Sequence, residues 1–162
     1  MDGRSKASFG VHGVGSHWAV GTPTMRWRLS DSMALDLTVD LGLNKGSNGA
    51  SSFDAFRTGM GLVHKCKEGN GFIVSVRLDA GYNYLYQRYP DPFSFSYVSH
   101  QVSLGFGPDI EYFIPAMPQL SIGAFATLAG SWYQQKESGS SKNEKSIGLA
   151  TSGQLLTVRY YF

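Results

Sequence analysis

The chain almost lacks helical periodicity: across 162 residues no apolar spacing of three and four persists beyond two turns. That excludes a helical fold. Charge is scarce, at 16% Asp, Glu, Lys and Arg against roughly 25% in an ordinary soluble domain. Long hydrophobic runs are absent too. The longest, Ile122 to Gly130, is short and rich in small residues, far from the roughly 18 apolar residues of a membrane helix. The single cysteine, Cys66, excludes an internal disulfide and a Cys-rich metal site. His64, two residues away, stands at a spacing common by chance, so Cys66 reads as a tolerated thiol. A net charge of +2 with scattered basic residues excludes nucleic acid as a partner. The opening MDGRSKASFG holds no apolar core for a signal peptide. An exported protein would have lost its leader, and residues 1–6 are expected to form a flexible segment.

Against these absences stand 14% aromatic residues and 20 glycines, with a mean hydropathy of −0.17. Few charges, many aromatics and no helical span together fit an alternating barrel, half of whose residues face lipid and half a polar interior.

Period-two alternation supports that reading. In MALDLTVDLGLN, Leu35, Leu37, Val39, Leu41 and Leu43 share one face, and Asp36, Thr38, Asp40 and Gly42 the other. In TMRWRLS, Met25, Trp27 and Leu29 oppose Thr24, Arg26 and Arg28. Ser30-Asp31-Ser32 between them has turn chemistry. The hairpin so formed sets Trp27 against Leu35, Met25 against Leu37 and Arg26 against Asp36. A cross-strand charge pair supports such a register by a few tenths to about 1 kcal/mol, and a one-residue slip would turn the leucines onto the charged face.

Further strands are expected near 8–15, 53–65, 72–87, 98–113 and 120–134, with a last one ending at Phe162. Pro108 should cause a bulge or break. A second bulge, near Gly153, would keep Ile147 and Leu149 on the apolar face. Strand one, SFGVHGVG, is too glycine-rich to orient. The total is eight strands in one domain, 1–162. Tight connections at 30–32, 68–71 and 114–118 alternate with longer ones at 44–52, 88–97 and 135–146, and the link near Ser16-His17 is short. The fold class is an all-β, eight-stranded antiparallel up-and-down transmembrane β-barrel.

Alternation alone does not tell a membrane barrel from a soluble one with an apolar inside. Aromatic position does. Trp27, Phe72, Tyr112, Tyr160 and Phe162 fall toward the tight turns, and Tyr82, Tyr84, Tyr86 and Trp132 toward the long loops. Two such belts mark two membrane interfaces. The opposite face carries Arg26, Arg28, Arg57, Arg77 and Arg159 with Asp36, Asp40, Asp79, Asp109 and Glu111. These ten residues balance in charge. Enclosed in a lumen only as wide as its side chains, they must pair, which predicts a charge-filled interior.

The terminal GQLLTVRYYF, with Leu156, Val158, Tyr160 and Phe162 at alternate positions, resembles the signal that the assembly machinery reads in bacterial outer-membrane barrels. Thr157 departs from it where glycine is common. On this resemblance Phe162 looks like a true end. MRWRLSDSMALDLTVDLGL is similar to the second hairpin of the small eight-stranded outer-membrane barrels, the group of opacity-type proteins and the transmembrane domain of outer membrane protein A. The resemblance implies integral outer-membrane location in a Gram-negative cell, among outer-membrane lipids and lipopolysaccharide, without a cofactor.

Three functions compete. The first is a non-enzymatic anchor, adhesin or accessory subunit. Its loops would meet a protein partner through Tyr89, Phe93, Phe95 and Tyr97, and through Lys136, Lys142 and Lys145 with Glu137 and Glu144. The second is a small-solute channel, which balanced internal charges oppose. The third is a lipid A-modifying enzyme. It would need a nucleophile, base and acid within reach, and the only tempting set, His100 with Ser99 or Ser103, fails at Ser103, three residues on and therefore on the opposite face.

Overall fold

The computed structural model describes residues 7–13, 22–44, 52–89, 95–138 and 143–162. Eight strands follow in chain order: β1 (Ala7–Gly13), β2 (Thr22–Arg28), β3 (Met33–Asn44), β4 (Ser52–Gly69), β5 (Phe72–Arg88), β6 (Ser96–Ile114), β7 (Met117–Glu137) and β8 (Asn143–Tyr161). Each pairs antiparallel with its neighbour, and β1 pairs with β8, so the sheet closes without an edge. The β2–β3 hairpin has the expected register: Met25 opposes Leu37, Arg26 opposes Asp36, and Trp27 opposes Leu35. Residues 1–6 and the 14–21 connection, including Ser16 and His17, lie outside the described residues.

The tight turns follow local chemistry. Ser30 Oγ accepts from the Met33 amide at 3.1 Å. Asn70 and Gly71 both adopt positive φ, 51° and 80°, the type I′ pair that matches strand twist. A Cβ on Gly71 would sit 3.2 Å from the Phe113 carbonyl oxygen and 3.3 Å from the Tyr112 ring. Gly71→Ala should therefore cost about 1–2 kcal/mol, read as a lower urea midpoint of tryptophan fluorescence in vesicles. Gly69→Ala, whose Cβ meets nothing within 4 Å, should stay within about 0.5 kcal/mol of wild type. Equal midpoints for the two would refute the turn assignment.

Pro108 brings the expected break in pairing, without a bulge. It pairs with Val76, and the β6–β7 register is the same on either side of it, from Phe106–Leu128 to Asp109–Phe125. The missing amide is absorbed by two unpaired positions, Gly107 and Pro108, on the β7 side. There the β7 backbone comes so near that a Cβ on Gly107 would lie 1.9 Å from the Ala126 oxygen. The expected β8 bulge is present slightly later: the register shifts between Gly123–Thr157 and Phe125–Gln154, with the extra residue on β8. A further shift, between Lys65 and Lys67, leaves Cys66 as an exposed, unpaired bulge residue.

The paired registers fix the tilt. The row Phe9–Met25–Leu37–Met60–Ala80–Leu104–Gly130 reaches β8 at Leu149. Phe9 itself pairs with Tyr160, eleven positions further along β8. One of those positions is the bulge residue, so the stagger is ten residues around eight strands. That closure corresponds to strands tilted about 40° from the axis. The rows climb toward the loop end on passing from β1 to β8.

Burial is inverted relative to a water-soluble protein. The largest fully buried side chains include Arg159, Thr24, Thr157, Asp36 and Asp109, whereas Leu41 (70%), Leu104 (65%) and Leu128 (61%) are exposed on the outside. On β5 every outward position from Phe72 to Tyr86 is apolar or aromatic, a band about 35 Å tall at this tilt. Such a wall requires an apolar surround.

Candidate functional site: the ion-pair cluster inside the barrel

Seven charged side chains meet in the half of the lumen nearer the tight turns. Alternation aims each one inward, and the stagger brings them to one level. Arg26 of β2 faces Asp36 of β3 through two bonds, Nε to Oδ1 at 2.6 Å and Nη2 to Oδ2 at 2.8 Å. Its remaining donors cross the lumen to β6, to Asp109 at 3.0 Å and Glu111 at 2.9 Å. Arg77 of β5 donates to Asp36 at 2.9 Å, Asp109 at 3.2 Å and both oxygens of Asp79 at 2.7 and 2.8 Å. Its guanidinium also lies 4.0 Å above the Phe125 ring. Arg159 of β8 is held more loosely, 3.4 Å from Glu111 and 3.5 Å from Asp36. Ser121 and Tyr161 hydroxyls donate to Glu111, the latter at 2.7 Å.

The remaining strands make room. A Cβ on Gly10 of β1 would lie 2.7 Å from Arg159 Cγ, and one on Gly61 of β4 would lie 2.6 Å from Arg77 Nη2 and from Asp79 Oδ1. Three guanidiniums thus pair with four carboxylates, leaving one negative charge in excess, and all but Asp79 are at least nine-tenths buried. In such a low-dielectric space the planar, multidentate Arg fork suits the task better than lysine.

Arg28, Asp40 and Arg57 face inward but stand apart from this cluster. Arg28 lines a small pocket of about 50 Å³ at the turn end, beside Glu111 and Tyr161. Asp40 and Arg57 oppose each other across β3 and β4, nearer the loops. Above the cluster lies a cavity of about 360 Å³, lined by Thr38, Arg57, Asp79, Ser103, Phe125 and Thr127. Gly59, Gly81 and Gly105 widen it on three adjacent strands.

Leu156, Val158, Tyr160 and Phe162 form an exposed outward row, and the Phe162 amide donates to the Ala7 carbonyl at 3.2 Å. At the loop end, Tyr89 stacks on Phe95 with centroids 4.6 Å apart. Gln87 donates to the Tyr89 hydroxyl at 2.7 Å and accepts from Tyr97. These aromatics are half-buried against one another. Lys136 and Lys145 are exposed. Phe93 and Lys142 lie outside the described residues. His100 sits on the outer wall, its Nδ1 2.8 Å from the Tyr82 hydroxyl, while Ser99 and Ser103 face the lumen. Ser121 and Tyr161, neutral and distant in sequence from Glu111, were not legible as members of the cluster. Their inward register is the one signal that marks them.

No protein-family model matches the chain, and no curated protein sequence matches it. Among solved structures, the crystal structure of a major outer membrane protein from Thermus thermophilus superposes with a TM-score of 0.58 at 15% identity, over 96% of this chain and 99% of that one. The chain therefore shares its closed eight-stranded barrel fold with a bacterial outer-membrane protein.

Proposed function

We propose that this protein is an integral barrel of the bacterial outer membrane, of the opacity or outer-membrane-protein-A transmembrane type, whose lumen is closed by the ion-pair cluster. It serves as a structural or surface-interaction protein that displays its loops, not as an enzyme. One observation carries the reading: Arg26 binds three carboxylates on two strands, so the polar groups that could line a water path satisfy one another instead. Outward Leu156, Val158, Tyr160 and Phe162 support recognition by the assembly machinery. Lys136 and Lys145 at the exposed rim support contact with a partner outside the cell, whereas Tyr89, Phe95 and Tyr97 pack together and shape their hairpin. The outward position of His100, across the wall from Ser99 and Ser103, supports the absence of hydrolase chemistry.

The cavity above the cluster favours a second reading, a small-solute channel in which the cluster parts. Planar-bilayer recording separates the two. The purified barrel should show no conductance above the unmodified bilayer, and reproducible single-channel steps would overturn the closed-lumen reading.

A further inference from the structure

The long loops are flanked by charges that the wall sorts by sign. On the last hairpin Lys136 pairs with Asn143, and Lys145 with Gln134, all on outward positions continuous with Trp132 and Ile147. Glu137 and Glu144 occupy the alternate, inward positions, opposite Tyr97 and Gln135. The bases therefore point away from the barrel and the acids toward its mouth. On β5, Arg88 is outward and exposed as well. Each step from strand to strand lifts a row by about 3 Å, and each pair of residues along a strand spans about 5 Å of height. At that inclination Arg88, Lys136 and Lys145 stand at nearly one level, just above Tyr84, Tyr86 and Trp132.

Lys136 and Lys145 are diagonal neighbours on adjacent strands, roughly 7–8 Å apart at their Cβ atoms. Like charges so placed repel. Among the described residues neither lysine has an ion pair, and the only acid turned outward near this level is Asp54, on β4 opposite Tyr86. Directly below lies a surface made for acyl chains: Trp132, Val102 and Ile147, then Leu104 and Leu149. His100, bonded to Tyr82 and packed 5.5 Å from the Tyr84 ring, adds a polar edge at the aromatic level.

We infer that Lys136 and Lys145, with Arg88 at the same level two strands away, form a binding site on the outer wall for the phosphorylated headgroup of a membrane lipid whose chains lie on the Trp132–Leu149 face. The charge complementarity is specific in sign and height: ammonium groups donate to phosphate oxygens at the level where headgroups begin, and apolar wall extends only below. The inference rests on the proposed membrane placement and assigns Lys136 and Lys145 a lipid ligand on the wall below the loops, in addition to their part in loop display.

The test uses the full chain folded in neutral maltoside micelles, with folding verified by heat-modifiable gel mobility. Bisphosphorylated lipid A is titrated in and its retention read by native mass spectrometry. Wild type should retain it, and a fully dephosphorylated form should bind at least tenfold more weakly. Lys136→Gln with Lys145→Gln should lose at least tenfold in affinity, Lys136→Arg with Lys145→Arg should keep it, and Lys65→Gln with Lys67→Gln at the turn end should leave it unchanged. Millimolar inorganic phosphate should not release the lipid. The site is overturned if the rim glutamine pair binds as wild type does, if the turn-end pair loses as much, or if free phosphate displaces the lipid. Failure of the wild-type chain to fold in micelles would instead overturn the membrane placement, and this site with it.

Discussion

Arg26→Met should lower the unfolding free energy of the barrel by about 3–5 kcal/mol, the range for a buried ion pair deprived of one partner. Methionine approximates the length of the side chain but carries no donor. Its introduction takes four hydrogen bonds from Asp36, Asp109 and Glu111, which keep only Arg77 and Arg159 as cationic partners. Two guanidiniums would then face four carboxylates, inside a wall that admits little water. Adding Asp36→Asn should restore part of the loss by removing one excess negative charge, a coupling that a double-mutant cycle measures. Arg57→Met is the comparison, because Arg57 is exposed to the cavity and outside the cluster. It should cost no more than about 0.5 kcal/mol. Urea titration of tryptophan fluorescence in lipid vesicles reads every variant. An Arg26→Met barrel within about 1 kcal/mol of wild type, well short of the buried-pair range, would mean that the cluster is hydrated and contributes little to closing the lumen.

Leu78→Arg should destabilise the barrel in a bilayer by about 2–4 kcal/mol, the cost of an arginine at the midplane of a barrel's lipid face. Leu78 is 56% exposed and lies midway along the outward apolar series of β5, between Phe72 and Tyr84. Its guanidinium has about 15 Å of apolar wall to cross in either direction. Val98→Arg, outward on β6 and paired with Tyr86 beyond His100, should cost about 0–1 kcal/mol, because the side chain reaches the interface. The contrast between the two depths is the test. If the apolar wall faced water, both arginines would be tolerated alike, and equal vesicle stabilities would remove the basis for a membrane barrel.

Much of this architecture was written in short stretches of chain. A residue's face follows from its parity, so Leu35 to Leu43 and Phe72 to Tyr86 declared an apolar wall before any contact was known. The Arg26–Asp36 pair was legible because a tight turn lies between the two residues and fixes their register. Asn70-Gly71 carried its turn in its own backbone preference. Pro108 predicts a bulge or a break, and it is a break, with Gly107 and Pro108 unpaired toward β7: a missing amide marks lost pairing but not whether an extra residue goes with it. Asp40 and Arg57 were placed on the correct face and even oppose each other, but parity says nothing about height, and they sit above the cluster.

What the sequence determined alone is therefore the strand count, the tight-turn registers and the two faces of the wall, since all three follow from contacts within a few residues. The closed barrel decided the rest. Arg26 meets Glu111 across 85 positions, and Arg159 meets it across 48, because a ten-residue stagger lifts distant strands to a shared level. The same stagger aligns Arg88, Lys136 and Lys145 along one rim. Closure relates residues that no local pattern connects, and only the complete circuit of pairings fixes how far each strand has slid past the next.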